Sequence, residues 1–503
     1  MKIETENLTR KTAFALFYNI FSTVLGYVAL FYVMRSVGQT GWGIVGSAMG
    51  LVGLLAILSD LGSSSTHVKK VGEGGDIEKK NGTYITLKLI FTNLFVVVTL
   101  LTIYLANHLG FKFESEYLRN AVILMIFYYY LFSLSKIFKT ILRAYMKTSH
   151  ALLPDFVRVI VQDIFLIVFS MYWIINPSAP PEKIGVLFVY GYIIAAFAQL
   201  LTFIFIIRDI KVKKPSIELI KSYLIFSIPL IFLGVVGTIQ ANTDKAMLQF
   251  FWNTREVGAY FGIQKLIVPL TTLSTALNFV IFPAQSHNYN RNRKRFMEIT
   301  YTAERYASLL ILPLISFIFV LAPEVLNLWR KSLIPYTTVL RILLIYSFFY
   351  VLNTPYSSQL VSAGHPKENL KAGAVQAILN VVLNAIFIPT SLLSIPLLGM
   401  KSVGAALATL LSLLVGFFLL RFRAYKILGT KFNRKILLHI FASFLSGSFL
   451  YFLNRYVYHF VRFYELALAA VIFFLIYIGL LLLTKELTLN ELEKIVKKLL
   501  NLY

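Results

Sequence analysis

Apolar residues along this chain gather into stretches of about twenty, separated by short polar segments; that length crosses a hydrocarbon core of roughly 30 Å at 1.5 Å per residue. The pattern predicts helices at 12–36, 42–66, 83–107, 119–142, 154–176 and 184–207. A second set is predicted at 222–251, 256–284, 299–322, 336–362, 372–391 and 402–422, with a final pair at 436–456 and 464–484. The fold class that follows is an all-α polytopic membrane protein with about fourteen transmembrane helices. The opening MKIETENLTRK is polar and leads into about 25 apolar residues with no small-residue cleavage site, so it reads as a retained first helix rather than a signal peptide.

Two polar-bounded segments read as interfacial. Ser216, after Pro215, is placed to cap a short helix carrying Ile217, Leu219 and Ile220 in the connection between the two sets of six, a candidate linker. Thr488 and Glu491 form a capping-box pattern. Behind them Leu489, Leu492, Ile495, Val496, Leu499 and Leu500 keep helical spacing opposite Lys494, Lys497 and Lys498, which predicts a C-terminal amphipathic helix.

The connecting loops differ in charge. One set carries Lys69, Lys70, Lys79, Lys80, Lys211, Lys213, Lys214, Arg291, Arg293, Lys294, Arg295, Arg421, Arg423, Lys426, Lys431, Arg434 and Lys435. With both termini that side holds about 31 Lys or Arg against roughly ten opposite, which predicts both ends of the chain in the cytoplasm. The net charge of +25 then belongs to juxtamembrane loops facing anionic headgroups, and no nucleic acid is expected as a partner. Composition agrees: 58% of residues are hydrophobic and 14% charged, with a mean hydropathy of +0.73, far from a soluble domain. With no cysteine, neither a disulfide framework nor a thiolate metal site is available.

A weak internal repeat runs through the chain. VGQTGWGIVGSAM at 37–49 matches WNTREVGAYFGIQ at 252–264, setting Gly43 against Gly258, and ILRAYMKTSHALLPDF at 141–156 parallels LVSAGHPKENLKAGAV at 360–375. Six spans per copy is an even number, so both copies enter the bilayer from one side and are related by an axis along its normal. The expected domains are an N-lobe at 1–210, a C-lobe at 211–425, and two further helices with the amphipathic tail at 426–503. Two such lobes would enclose a central cavity, and rocking them would expose it to each face in turn.

The sequence resembles the polysaccharide-biosynthesis flippases of the multidrug/oligosaccharidyl-lipid/polysaccharide (MOP) exporter superfamily, over nearly its whole length. The resemblance rests on Arg35 before Val37-Gly38 with Trp42-Gly43, on Ser59-Asp60-Leu61-Gly62, on Asp244-Lys245 followed by Val257-Gly258-Ala259-Tyr260, and on Ser362-Ala363-Gly364-His365-Pro366-Lys367. It implies twelve core helices in two lobes, commonly two more, and export of polyprenyl-linked sugars.

Charge at membrane depth costs about 2.5 to 3.5 kcal/mol per residue, so such residues face protein or water. Lys245 and Lys265 are candidates to hold a pyrophosphate or acidic sugar, against the alternative of a structural Asp244–Lys265 pair. Arg35 and Arg341, at the outer ends of their helices, are candidates for phosphate. Gln376, Asn380 and Asn384 recur every four residues and form a stripe that either bonds sugar hydroxyls or joins helices. Asp60, Asp163 and Asp244 are candidates for ion coupling, with a helix-end role open for Asp60 and an Arg158 pair open for Asp163. Lys88, Lys136, Lys139 and Arg158 lie close enough to a boundary to snorkel.

No phosphate-cradling loop, metal-ligand cluster or nucleophilic triad is present, so no catalytic residue, metal or cofactor is expected, and the energy is expected from an ion gradient (H+ or Na+ coupling), the membrane potential or the cargo's own gradient. The expected partners are a lipid-linked oligosaccharide, membrane lipids and polysaccharide assembly enzymes. A cation-coupled drug exporter of the same superfamily is the alternative, disfavoured because the first span offers Asn19, Ser22 and Thr23 but no carboxylate. A membrane glycosyltransferase or polymerase is remote, since the outer loops of about five to thirteen residues are too short for a catalytic site.

Overall fold

The computed structural model describes residues 8–207, 210–488, 490, 491 and 493. Its helices are α1 (Leu8–Ser36), α2 (Gly38–Leu55), α3 (Ser63–Gly72), α4 (Ile77–His108), α5 (Glu116–Ala144), α6 (Thr148–Ile175), α7 (Pro181–Ile206) and α8 (Ile217–Phe251). There follow α9 (Thr254–Asn288), α10 (Arg293–Val320), α11 (Ala322–Trp329), α12 (Thr337–Ser362), α13 (Pro366–Phe387), α14 (Lys401–Leu428), α15 (Lys435–Phe452) and α16 (Phe463–Leu483). Every sequence-predicted span except the second falls mainly on one of these helices. Among the described residues eleven helical segments are long and apolar enough to cross a bilayer, twelve when the bent α8 is taken as one span.

The second predicted span is not one helix. After α2 a 3-10 turn (Ala56–Ser59) leads to Leu61 and Gly62 at φ 40° and 76°, and the chain restarts as α3. Nor does Ser216 begin a separate interfacial helix: its side chain makes no cap bond, and the segment it precedes is the start of α8, which runs on to Phe251. Pro229 lacks the N–H that would bond Ile225, and just beyond it α8 bends by 43° between Phe232 and Gly234. The capping box forms, Thr488 and Glu491 exchanging bonds of 3.3 and 3.2 Å, while the remainder of the predicted tail helix lies almost wholly outside the described residues.

The chain divides into two compact units. One comprises Met1–Leu266 with Ala377–Ala408, the other Ile267–Gln376 with Thr409–Tyr503. In the second, α10, α15 and α16 bury Leu321, Leu450, Phe473, Tyr477 and Leu481 among themselves.

In the first unit a glycine face on α2 sets the packing. Gly43, Gly46, Gly50 and Gly53 share one side of the helix and let α8 and α9 approach to backbone distance. A methyl on Gly43 would overlap the carbonyl of Thr254, and one on Gly258 would overlap the carbonyl of Gln39. Gly46 meets Val257 and Phe261, and Trp42 stacks on Phe261 at 5.1 Å. Each contact has its mirror at the repeat offset, Gln39 answering to Thr254 and Gly43 to Gly258, so equivalent segments of the two repeats meet about a local two-fold.

Candidate functional site

Lys245 sits on α8 where Gly50 brings α2 against its backbone, and Lys265 lies three turns into α9. Their ammonium groups stand 5.1 and 5.3 Å from the centre of one ring, Phe261. Lys245 is 7% exposed, whereas Lys265 is exposed, with Arg158, Asp163 and Lys245 as the charges within its electrostatic reach. Among the described residues neither lysine forms an ion pair, so the Asp244–Lys265 pair allowed by the sequence does not form.

Asp244 is held by neutral donors instead. Tyr260 donates to Oδ2 at 2.5 Å, and Asn384 and Asn380 donate to Oδ1 at 2.6 and 3.3 Å. Asn384 Nδ2 also reaches Asn380 Oδ1 at 3.2 Å, so the two amides and the carboxylate form one buried polar cluster. Asn384 Oδ1 is buried without a partner. The third member of the predicted stripe, Gln376, packs instead against Gly416 on α14, in the other unit.

Asp163, on α6, is 3% exposed and is not paired with Arg158. Arg158 donates to Gln162 Oε1 at 3.0 Å, Gln162 reaches Asp163 Oδ1 at 3.4 Å, and Asp163 Oδ2 faces Gly26 of α1 with no hydrogen-bond partner. Asp155, one face-width away, accepts from Lys139 at 2.5 Å and Gln199 at 2.6 Å.

Lys88 does not snorkel. It is fully buried and donates to Asp60 at 2.9 Å, because on the packed side of α4 its ammonium group meets a carboxylate rather than headgroups. Asp60 also accepts from Ser63 Oγ, Ser64 N and Ser64 Oγ, which fastens the start of α3. Arg35, in the last turn of α1, is exposed with its guanidinium 5.6 Å from the Phe31 ring. Arg341, in the second unit, donates to Phe319 O at 3.1 Å near the C-terminus of α10, where a cation suits the helix dipole.

Other charges were not flagged by sequence. Glu114, in the α4–α5 connection, accepts from Thr254 N at 2.7 Å, Thr254 Oγ1 at 2.6 Å and Gln249 Nε2 at 2.9 Å, and Ser47 bonds the other end of Gln249 at 2.5 Å. A loop acid on the N-terminus of α9 leaves no periodic signal. In the second unit Arg421, counted with the basic loops, lies inside α14, donating at 2.8 Å to the fully buried Glu304 and stacking 4.5 Å from Tyr356. An apolar groove of about 470 Å³ also lies there, lined by Leu273, Leu277, Ile281 and Ala303 with Arg295 at one end. Its α9 residues run from Leu273 to Ala284, past Pro269 and across Pro283.

An all-α bundle of apolar spans with charges gathered inside it on opposing helices is the architecture of a membrane transporter. Comparison with known proteins agrees. The family described as "Polysaccharide biosynthesis protein" matches residues 8–288, and the chain belongs to it. It is 22% identical over 414 residues to the "Probable low-salt glycan biosynthesis flippase Agl15" of Haloferax volcanii, covering 81% of this chain and 82% of that one. Its fold is similar to that of the lipid II flippase MurJ in an inward closed conformation, with a TM-score of 0.74, 17% identity and coverage of 94% and 99% of the two chains. It is similar also to an inward-facing multidrug resistance MATE family transporter of the MOP superfamily, with a TM-score of 0.62, 17% identity and coverage of 82% and 96%.

Proposed function

We propose that this protein is a flippase that carries a polyprenyl-(pyro)phosphate-linked oligosaccharide across the cytoplasmic membrane of a prokaryote by alternating access, with both termini in the cytoplasm. The observation that carries the reading is the pair Lys245 and Lys265, two unpaired cations set over one aromatic ring, a seat for a multiply charged anion. Arg35 would meet the phosphate, and Asn380 would bond sugar hydroxyls. The family, and a relative called a probable glycan biosynthesis flippase, support the assignment.

Coupling is assigned to two sites. Asp244 with Asn380 and Asn384 offers the hard oxygen donors that Na+ takes, and Asp163, with one oxygen unbonded, is placed to exchange a proton. The other partners in this reading are membrane lipids and the enzymes that assemble and polymerise the glycan.

The test is reconstitution into liposomes with a fluorescent lipid-linked oligosaccharide in one leaflet. Lys245→Ala and Lys265→Ala should each slow its appearance in the other leaflet by about 10- to 100-fold, the loss of one charge-assisted contact. Unchanged rates in both variants would remove the seat. Pumping of a lipophilic cation without the glycolipid would replace the flippase by a drug exporter.

A further inference from the structure

Residues 388–400, IPTSLLSIPLLGM, join α13 to α14 without one charged side chain. They fold into a hairpin: Ser391 pairs with Pro396 and Leu392 with Ile395, and below them Leu397 N bonds Thr390 O and Gly399 N bonds Pro389 O, both at 2.8 Å. The turn is Leu393-Ser394, both at positive φ, 50° and 67°. Tight two-residue hairpins demand this geometry, and Asn-Gly meets it without strain. A leucine there accepts backbone strain in order to stand at the tip, where it is 89% exposed.

The rest of the hairpin is equally bare. Leu392 and Ile395 share one face and Leu398 lies on the other, at 38%, 62% and 59% exposure. A two-stranded hairpin is marginal in water by itself, and this one has no further strand to lean on. Its base is fixed. Trp252 donates from Nε1 to Ile388 O at 2.7 Å, and Lys401 places its ammonium group 4.4 Å from the same indole. A tryptophan and a lysine at the end of spanning helices mark headgroup depth.

We propose that this hairpin is a membrane-interface anchor, with Leu393, Ile395 and Leu398 inserted among the headgroups and upper acyl chains of the leaflet at that end of α13 and α14. A protein partner would cover one face and match polar groups; apolar side chains on both faces and at the tip suit a medium that surrounds them. The inference is independent of the cargo assignment.

The absence of cysteine makes the test direct in the full-length protein. Leu393→Cys and, as a reference in the neighbouring α4–α5 connection, Lys112→Cys would each be labelled with an environment-sensitive fluorophore in liposomes. The label at 393 should emit blue-shifted and be quenched by a nitroxide lipid carrying its spin near the headgroup, with the label at 112 reached by aqueous iodide instead. Iodide quenching of both labels alike overturns the proposal. So does protection of position 393 from both quenchers, which means that protein covers the tip. Leu393→Asn keeps a residue suited to the turn but removes the apolar tip; with the label at Leu398→Cys, it should shift emission toward the aqueous value, and no shift also counts against insertion.

Discussion

Lys245 and Lys265, on successive helices, share the ring of Phe261 at 5.1 and 5.3 Å, and Trp42 stacks on that same ring. Two like charges held this close repel unless an anion or water lies between them, so the arrangement is least strained when an anion is bound. A soluble pyrophosphate analogue should therefore raise the melting temperature of the wild-type protein in detergent and leave that of the Lys245→Ala, Lys265→Ala double variant unmoved. Equal shifts in both would place the anion elsewhere.

Asp244→Asn should abolish any dependence of flipping on Na+ while leaving the protein folded, since asparagine preserves the bonding shape but removes the charge. Asn384→Ala should weaken it. Rate against Na+ concentration at fixed membrane potential measures this. A rate that follows pH and ignores Na+ would transfer the role to Asp163.

Asp60 and Lys88 are unequal partners. The Lys88 side chain is 0% exposed and that of Asp60 is 28% exposed. Removing the acid strands a fully buried ammonium group, so Asp60→Ala should cost about 3–5 kcal/mol. Lys88→Met leaves a carboxylate that water and the serines of α3 still reach, and should cost only about 1–2 kcal/mol. Unfolding in detergent reads both, and the reverse order would contradict this account of the pair.

Gly43→Ala and Gly258→Ala should each destabilise by about 1–3 kcal/mol, because a backbone carbonyl in the way cannot swing aside as a side chain can. Helix propensity alone predicts a gain of roughly 1 kcal/mol from the same changes, so the sign of the effect decides between the two. As both glycines serve one contact, the double variant should cost less than the two singles together.

Glu486, just past α16, accepts from Arg305 and from Lys435 at 3.1 Å, with His439 at 3.5 Å. Burial works to raise its carboxyl, and the bonds from Arg305 and Lys435 outweigh it, holding the group below its ordinary value. An acid held down when folded stabilises above that ordinary value and loses the contribution as pH falls through the lowered one. A spin label at Asn490→Cys should stay immobilised from about pH 8 to about pH 5 and become mobile only below about pH 4. Release already above pH 5 would contradict this account.

Much of this was legible in the sequence. Twenty-residue apolar runs mark the spans because the bilayer sets their length, and Gly43 and Gly258 align in sequence because they meet in space. Lys245, Lys265, Asp163 and Asp244 announce themselves as charges too deep to snorkel. Partners were harder to see: whether Asp244 meets Lys265 or Tyr260 depends on helix rotation, which hydropathy does not encode, and Glu114 reaches Thr254 across about 140 residues from a loop without period. The hairpin was hidden for another reason: it lies in the connection between the spans predicted at 372–391 and 402–422, and a ladder of two residue pairs leaves no periodic signal.

Asp244 and Lys245 are successive residues beyond the 43° bend of α8, one turned toward Tyr260 and the asparagines, the other toward Phe261. A small cation on the first and a phosphate on the second would thus tug on the same peptide unit. Whatever swivel of that half-helix favours one guest alters the grip on its neighbour, and by equal free energy in both directions. Fuel and freight would then be geared to each other through a single backbone link.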